Sequence, residues 1–526
     1  MGIKVLFIYP NTYGMNMVPP AIAFFSSILK HEGHEVELFD STYYQLDYGV
    51  NSEGLKADQL NVVPFDMASR GLQIKTTDWR EDIVRKANQF SPDLIAISST
   101  EDMWELGIHL LSELENYLDR NNVPVIAGGV FPTFAPHLAI EHPLVDLVCI
   151  GEGENALVDL CDRISRGVSF NDVTNLWVKG KGGEVKKNPI SKPVDINQNP
   201  IIDLSLFDEE RLYRPMAGRV YKMFPIETHR GCPFTCTFCN SPNQMQMYDR
   251  EIGGGFFRKK NMQVVFEELS YLKESLGCEY NYFWADTFLA LNNREFDEFC
   301  EMYEGIRLPF WMQTRPETIS DYKIKRLSEV GLHRISFGIE HGNEEFRRRI
   351  LDRRWNNDDI VEALSIPHRY GVQFSLNNIT GFPDETRELA MDTVELNRRI
   401  GDADNANIYS FVPFHGTPLR DLCEKKKLVG PRAIARALTD KPMLNLPDYP
   451  PEEIEGLKKC FILYVKLPKS RWGDIRRAEG NTREAKKIYQ DLKSEYMDKY
   501  FVPPEDNPNA EFSATADLEY GISNPA

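Results

Sequence analysis

The sequence predicts an α/β protein with an N-terminal doubly wound parallel sheet, a partial (β/α) barrel and a C-terminal helical cap. Short apolar strands alternate with helical patterns over residues 1–168, and a second alternation fills residues 216–425. Such alternation is typical of parallel sheets covered by helices. A hairpin and a proline-containing linker occupy residues 169–215, residues 426–501 are helical and charged, and residues 502–526 are predicted to be a disordered tail.

Composition argues against two classes of function. The formal net charge of −18 disfavours broad binding to nucleic acid, whose phosphates require a basic surface. The absence of a long apolar run and of a signal-peptide pattern predicts a cytoplasmic protein that does not enter a membrane. A small-molecule or peptide substrate is therefore favoured. Six dispersed cysteines are expected to be buried free thiols, namely Cys149, Cys161, Cys278, Cys300, Cys423 and Cys460.

The N-terminal segments predict a β–α–β unit that then repeats. Residues 3–9 are apolar and β-branched, residues 20–33 repeat apolar residues at helical spacing, and residues 35–39 return to strand alternation. Sheets of this kind bind ligands at the carboxyl ends of their strands. Three further strands follow in the chain, at residues 93–98, 123–127 and 145–150.

Small and polar residues follow the strands of this predicted sheet. Small residues let a flat cofactor approach the backbone, which makes these positions candidates for cofactor contacts. The alternative is that the glycines simply end strands, as they do in many α/β proteins. The candidates at this edge are Thr12, Ser99, Thr100, Gly128, Gly129, Gly151 and Glu152.

In the second unit, a strand at residues 224–228 delivers a cysteine-rich loop, and later strands end in polar residues. The active site of a β/α barrel lies at the carboxyl ends of its strands. Charged and amide groups there can hold a polar ligand, although each one alone could be a helix cap or a surface ion pair. The candidates are Asp286, Arg315, Glu340 and Asn377.

The loop holds three of the nine cysteines, Cys232, Cys236 and Cys239, in the spacing Cys-x-x-x-Cys-x-x-Cys. Three thiolates this close can hold three irons of a [4Fe–4S] cluster and leave the fourth iron open to another ligand. A zinc site with His229 as the fourth ligand is the alternative, although structural zinc sites usually pair two separated Cys-x-x-Cys units.

The cysteine triplet, with Phe238 before its last cysteine, resembles the motif of the radical S-adenosylmethionine (SAM) superfamily. The preceding sheet, with its Gly128-Gly129 pair and the Gly-Glu-Gly-Glu segment at residues 151–154, resembles the Rossmann-like domain of cobalamin-dependent radical SAM enzymes. The resemblance covers roughly residues 1–425 and implies three cofactors: a [4Fe–4S] cluster, SAM and cobalamin. Electron transfer from the cluster would cleave SAM to a 5′-deoxyadenosyl radical.

The resemblance also implies roles for the candidate residues. The strand-end set of the barrel would contact SAM, and Glu340 and Asn377 suit its ribose hydroxyls and ammonium group best. The strand-end set of the N-terminal sheet would contact cobalamin. The Asp-x-His-x-x-Gly loop by which many cobalamin domains offer a histidine to cobalt is absent, so we expect cobalamin to bind without one. A degenerate domain that binds no cofactor is the alternative.

The activity implied by the resemblance is methyl transfer. A methyl group would pass from methylcobalamin to an unactivated carbon after the 5′-deoxyadenosyl radical removes a hydrogen. Cyclisation or rearrangement without net methylation, and a non-catalytic sensor, are the other hypotheses. The resemblance further implies a reductant such as flavodoxin or ferredoxin, a monomeric enzyme, and a C-terminal region that selects the substrate.

Overall fold

The computed structural model describes residues 2–14, 17–46, 58–60, 74–216, 219–401, 403–437 and 440–500. The tail predicted to be disordered lies outside these described residues. Within them, no helix combines the length and apolar character needed to cross a membrane.

A seven-stranded sheet organises the N-terminal half. Its strands are β1 (Lys4–Tyr9), β2 (Glu35–Asp40), β3 (Leu94–Ser98), β4 (Val125–Gly128), β5 (Leu147–Cys149), β6 (Leu176–Lys179) and β7 (Val185–Lys187). The order is β2-β1-β3-β4-β5-β6-β7, with β1 to β5 parallel and β6 and β7 forming the predicted antiparallel hairpin. Because β1 lies between β2 and β3, the chain changes direction across the sheet there, and such switch points bind ligands.

Helices cover both faces of this sheet, as the doubly wound prediction requires. Val5 and Phe7 of β1 belong to one core, whereas Leu6 and Ile8 belong to another. The helical spacing of apolar residues over 103–119 predicts one helix, but the chain turns at buried Leu114 and forms two. The helices are α1 (Pro20–His31), α2 (Trp79–Phe90), α3 (Trp104–Ser112), α4 (Glu115–Asn121), α5 (Val130–Phe134), α6 (Pro136–Glu141) and α7 (Glu154–Arg166).

A second seven-stranded sheet curls into a partial barrel. Its strands are β8 (Tyr213–Met216), β9 (Arg219–Glu227), β12 (Tyr280–Trp284), β13 (Phe310–Thr314), β14 (Leu332–Glu340), β15 (Gln373–Thr380) and β16 (Asn405–Ser410). The strands from β9 to β16 are parallel neighbours, and β8 pairs antiparallel at the edge. A short pair, β10 (His229–Arg230) with β11 (Arg258–Lys259), stands beside the barrel.

Side-chain caps fix the starts of many barrel helices. Asn292, for example, exchanges hydrogen bonds with Glu295 in a capping box at the start of α10. The helices are α8 (Ser241–Ile252), α9 (Met262–Leu276), α10 (Asn293–Tyr303), α11 (Asp321–Val330), α12 (Glu344–Leu351), α13 (Asn357–Arg369), α14 (Arg387–Ile400), α15 (Pro418–Lys425), α16 (Pro451–Lys466), α17 (Trp472–Ala478) and α18 (Arg483–Tyr500).

The sixth parallel strand, β16, is not recognisable from sequence. Its buried residues are Ala406, Ile408 and Ser410, whereas Asn405 and Asn407 alternate with them. With so little apolar content, the segment gives a weak strand pattern. It forms because β15 offers a complete parallel partner, in register from Ser375 to Thr380.

Helix α16 joins the C-terminal region to the barrel. It packs against β16 and α14, and its apolar residues Phe461, Ile462 and Leu463 belong to the same core as the barrel strands. It therefore occupies the place of a helix after the sixth barrel strand. The domain bounds given from sequence stay a prediction.

Buried Lys458 of α16 is an exception in this core. It is 4% exposed, and its Nζ donates to Ser410 Oγ at 2.8 Å. Burial lowers the pKa of Lys458 to about 8. In the unfolded chain the ordinary value is higher, so the unfolded state binds more protons between the two values and stability rises with pH there.

Replacing Lys458 by Met should therefore stabilise the fold most at neutral pH. The advantage over the parent should shrink by about 3 kcal/mol between pH 7 and pH 10.5, because the parent sheds its buried charge over that interval. Urea unfolding of both proteins across this range measures the difference. Lys487→Met, on the exposed side of α18, is the matched control, and a pH-independent difference for Lys458→Met would contradict the argument.

Candidate functional site

The three loop cysteines lie between β10 and α8, at the carboxyl end of β9. Cys232 is buried, and Cys236 and Cys239 are half-buried. Gly231 permits the turn into the loop with φ +88°. The three thiols lie within electrostatic range of one another, since Cys232 and Cys236 both help raise the pKa of Cys239.

Polar groups from neighbouring elements contact each thiol. Thr287 Oγ lies 3.4 Å from Cys232 Sγ, and the Ser241 N–H donates to Cys239 Sγ at 3.5 Å. Arg315 Nη1 donates to Cys236 Sγ at 3.2 Å. Burial raises the pKa of all three cysteines, that of Cys239 to about 12. Iron must therefore displace protons when it binds here.

The geometry does not favour a single metal ion. Among the described residues, no three His, Cys, Asp or Glu side chains converge on a point that one ion could occupy. His229, the fourth ligand of the zinc alternative, is buried, and its ring Nδ1 lies 3.2 Å from Thr228 Oγ. A [4Fe–4S] cluster binds each thiolate through a different iron, so its ligands need not converge on one point. The loop thus fits a cluster.

The predicted barrel residues surround this loop. Arg315 stacks on Phe234 at 3.8 Å from the ring centroid and pairs with Glu317, so its guanidinium is held beside Cys236. Phe238 packs against the core with its ring centroid 6.4 Å from that of Phe382.

The two acidic candidates lie within electrostatic range of the cysteines, Asp286 of Cys239 and Glu340 of Cys236. Asp286 is exposed, but surrounding protein raises the pKa of its carboxyl. Glu340 has φ +68°, and its Oε1 accepts from Arg353 Nη1 at 2.9 Å; burial raises the pKa of this carboxyl. The side-chain carbonyl oxygen of Asn377 accepts a hydrogen bond from Asn407 Nδ2 at 3.3 Å.

A cavity opens at the carboxyl ends of the N-terminal sheet. Its lining is mostly apolar, as is usual for small-molecule sites. Three candidates, Gly128, Gly129 and Gly151, line it; Thr12, Ser99, Thr100 and Glu152 do not. The structure adds apolar residues that sequence patterns did not single out, namely Phe7, Phe25, Ala96, Ile126 and Leu157. For Phe7, Ala96 and Ile126, the alternation of side chains along β1, β3 and β4 was the sequence signal that could have identified them.

The two adjacent glycines differ in what surrounds them. Gly129 has φ +108°, and a Cβ there would collide with the Ser99 carbonyl oxygen. At Gly128 the nearest atom to an added Cβ is Cys149 Cβ at 3.8 Å. Gly129 is therefore required by the backbone, whereas Gly128 leaves space that belongs to the cavity.

Glu152 joins the two halves of the site instead of lining the cavity. Its Oε1 accepts from Arg230 Nη1 at 2.9 Å and also pairs with Arg258, while its Oε2 accepts from the Val194 N–H at 2.8 Å. Arg230 lies two residues before Cys232 and also binds Glu154 at 2.6 Å. The loop after β5 and the cysteine loop are thus bound directly to each other.

A second buried junction was not predicted. Glu101, which follows Ser99 and Thr100, accepts from the backbone N–H of His415 at 2.7 Å and from that of Ala435 at 2.8 Å. The His415 ring Nδ1 lies 2.7 Å from Glu101 Oε1. The loop after β3 is thereby held against the chain that leaves β16, a contact between residues more than 300 positions apart that no local pattern could indicate.

The chain matches two family models. Residues 8–161 match the B12 binding domain and residues 226–396 match the radical SAM superfamily. The chain therefore carries both a B12 binding domain and a radical SAM domain, the pair that its sequence predicted, and it is an enzyme of the radical SAM class. The cofactors of these domains are a [4Fe–4S] cluster, SAM and cobalamin.

Within this class, individual relatives are distant. The chain is 28% identical to an uncharacterized methyltransferase of Pyrococcus horikoshii over 75% of this chain and 83% of the relative. It is 23% identical to the anaerobic magnesium-protoporphyrin IX monomethyl ester cyclase of Rubrivivax gelatinosus, over 80% and 70%. The fold is similar to that of the cobalamin-dependent radical SAM enzyme OxsB, with a TM-score of 0.63 at 16% identity, covering 95% of this chain and 72% of that structure.

Substitutions at Gly128 and Gly129 should distinguish a glycine that the backbone conformation requires from one that only leaves space in the cavity. Gly129→Ala should destabilise the protein by about 1–3 kcal/mol, because it adds a backbone clash at a strained φ. Gly128→Ala should change stability far less. Chemical unfolding of the cofactor-free proteins measures both, and equal losses at the two positions would refute the distinction.

Proposed function

We propose that this enzyme transfers a methyl group from cobalamin to an unactivated carbon of a small-molecule or peptide substrate. The observation that carries the proposal is the contact of Arg230 with Glu152 and Glu154, since it holds the cysteine loop beside the carboxyl edge of the N-terminal sheet. A hydrogen-abstracting centre and a methyl donor must act on one carbon, so their sites must face a common cleft. The similarity to a methyltransferase supports the same activity.

We assign the cluster to Cys232, Cys236 and Cys239. Thr287 and Arg315 would hold the thiolates through the contacts described above, and Arg315 places a positive charge beside one of them. Phe238 would fill the space behind the loop and help to exclude water.

We assign SAM to the cleft residues Asp286, Glu340 and Asn377. Each offers an acceptor for the ammonium or ribose donors of SAM. Arg353 holds the Glu340 carboxylate in place, and Asn407 holds the Asn377 carbonyl. Arg315, a further candidate for this role, donates to Cys236 Sγ, and we therefore assign it to the cysteine loop.

We assign cobalamin to the cavity at Gly128, Gly129 and Gly151. The apolar lining and the open space at Gly128 suit a planar group of the cofactor. Ser99 would act through its backbone, whose N–H donates to the Gly128 carbonyl oxygen at 3.0 Å, and Thr12 and Thr100 stand at the same edge of the sheet. Glu152 would hold the edge in place through its arginine pairs.

When bound, the cluster and SAM supply a radical that can remove a substrate hydrogen, and cobalamin supplies a methyl group. The protein's own contribution is to hold both sites at a fixed separation and to enclose the cleft between them. The two buried junctions, Arg230 with Glu152 and Glu101 with His415, provide that fixed separation.

A second candidate is ring formation without net methylation. It is favoured by the similarity to the protoporphyrin ester cyclase of Rubrivivax gelatinosus. Product mass distinguishes the two activities, because methylation adds one carbon to the substrate. A flavodoxin- or ferredoxin-type reductant, a monomeric state and a cytoplasmic location remain parts of the proposal. Nine cysteines without a disulfide in the described chain suit a reducing compartment.

Replacing the three loop cysteines together by alanine should abolish the cluster. After anaerobic reconstitution, iron and acid-labile sulfide should fall to background, since no thiolate ligand remains in the loop. Cys423→Ala, at a buried cysteine far along the chain, should retain both. A full complement of iron and sulfide in the triple variant would overturn the assignment.

Gly128→Leu should separate the two halves of the reaction. The larger side chain fills the cavity, so cobalamin content and methylated product should both be lost. Formation of 5′-deoxyadenosine from SAM should continue, because its residues lie on the barrel. Gly430→Leu, at an exposed position with open space around it, is the matched control. Retained cobalamin and methylation in Gly128→Leu would contradict the site.

A further inference from the structure

An aromatic wall lines the inner face of the barrel on β12 and β13. Tyr282 stacks on Trp311, with ring centroids 4.3 Å apart and planes 18° apart, and Trp284 meets Tyr282 edge-on at 5.8 Å. Asn281 and Phe283 point the other way, towards Tyr303 and Phe299 of α10. Since alternate residues of a strand share a face, Trp284 lies on the inner face with Tyr282.

The exposure of Trp284 is unusual for its position. It lies on a strand with parallel partners on both sides, yet its side chain is 43% exposed. Neighbours Tyr282 and Ala285 are buried. An exposed indole within a concave site offers apolar surface that a ligand can cover.

A cation stands at the end of this wall that is remote from the cysteines. Arg214 is the cross-strand partner of Tyr221, and its guanidinium lies 5.9 Å from the ring centroid of Tyr282. Across the described ranges of the chain, no carboxylate pairs with Arg214. Arg334, by contrast, pairs with Asp404 at 2.7 Å.

The opposite end of the wall reaches the cysteine loop. Thr287, which contacts Cys232, lies three residues after Trp284 in the turn that follows β12. The assignments above for the cluster, SAM and cobalamin use neither Trp284 nor Arg214. The wall and the arginine are therefore available to a further ligand of the same cleft.

We propose that Trp284 and Arg214 bind the substrate, and that this substrate carries a planar conjugated ring and an anionic group. The inference rests on the proposed function, because it takes the cleft to be the reaction site. The ring stacks on Trp284, and the anion pairs with Arg214, whose planar fork suits a carboxylate or a phosphate. The edge of the ring away from the anion then faces the cysteine loop.

Calorimetric titration of the cofactor-loaded enzyme with three probes tests the site without turnover. We expect 2-naphthaleneacetate to bind, and both 2-naphthaleneacetamide and cyclohexaneacetate to bind about tenfold more weakly, since one lacks the charge and the other the planar ring. Absence of naphthaleneacetate binding, or equal affinity for all three, would overturn the proposal.

Two pairs of variants assign each preference to its residue. Arg214→Gln should abolish the preference for the acid over the amide, and Arg214→Lys should keep part of it. Trp284→Ala should abolish the preference for the planar ring, and Trp284→Phe should restore it. Lys222→Gln, a cation on the alternate face of β9, should change neither. Cobalamin and iron content confirm that each variant is folded, and unchanged preferences in Arg214→Gln and Trp284→Ala would refute the site.

A separate assay distinguishes this inference from the proposed function. If the enzyme binds naphthaleneacetate as described but forms no 5′-deoxyadenosine from SAM, the substrate site is supported and the proposed radical reaction is refuted. If the enzyme forms 5′-deoxyadenosine but shows no preference among the probes, the radical reaction is supported and the proposed substrate class is refuted.

Discussion

The site depends on one buried ionic cluster between its two halves. Arg230, two residues before the first cluster cysteine, contacts Glu152 and Glu154 of the N-terminal unit and Glu227 at the end of β9. Burial alone would raise the pKa of Glu227, but Arg230 together with Lys260 and Arg258 outweighs it, and the pKa lies below its ordinary value. A buried charge without a partner costs several kcal/mol, so Arg230 requires the glutamates of the N-terminal unit and those glutamates require Arg230. This mutual requirement fixes the relative position of the two loops.

Burial also decides how the remaining ionisable groups behave. It lowers the pKa of His229 to about 4 and that of His333 to about 3, so both imidazoles are neutral at physiological pH. It raises the pKa of Cys239 to about 12, so the protein alone does not hold this cysteine as a thiolate. Metal binding supplies the compensating charge, which couples cluster assembly to proton release. The interior thus favours neutral groups unless an ion or a partner is present.

The inner face of the barrel has an aromatic part and a polar part. On β12 and β13 it carries the aromatic wall of Tyr282, Trp284 and Trp311. On β14 and β15 it carries hydroxyl and amide groups, and the hydroxyls of Ser336 and Ser375 form a hydrogen bond of 2.9 Å. The aromatic side suits stacking, and the polar side suits a ligand rich in hydrogen-bonding groups. A cleft with two different walls can hold two ligands side by side, as a reaction between SAM and a second molecule requires.

The sequence by itself determined what depends on neighbours along the chain: strand and helix periodicity, the cysteine spacing and the glycines at strand ends. These gave the two α/β units, the cluster loop and the domain pair. Strand β16 is not predicted because its few buried residues form no apolar run. The ion pairs of Glu152 are not predicted either, because Arg230 and Arg258 lie 78 and 106 positions further along the chain, and the role of Glu152 in cofactor binding stays a prediction. The tertiary structure alone decided which charges pair across the junction and that Trp284 is exposed, because pairing and exposure depend on distances between residues far apart in sequence.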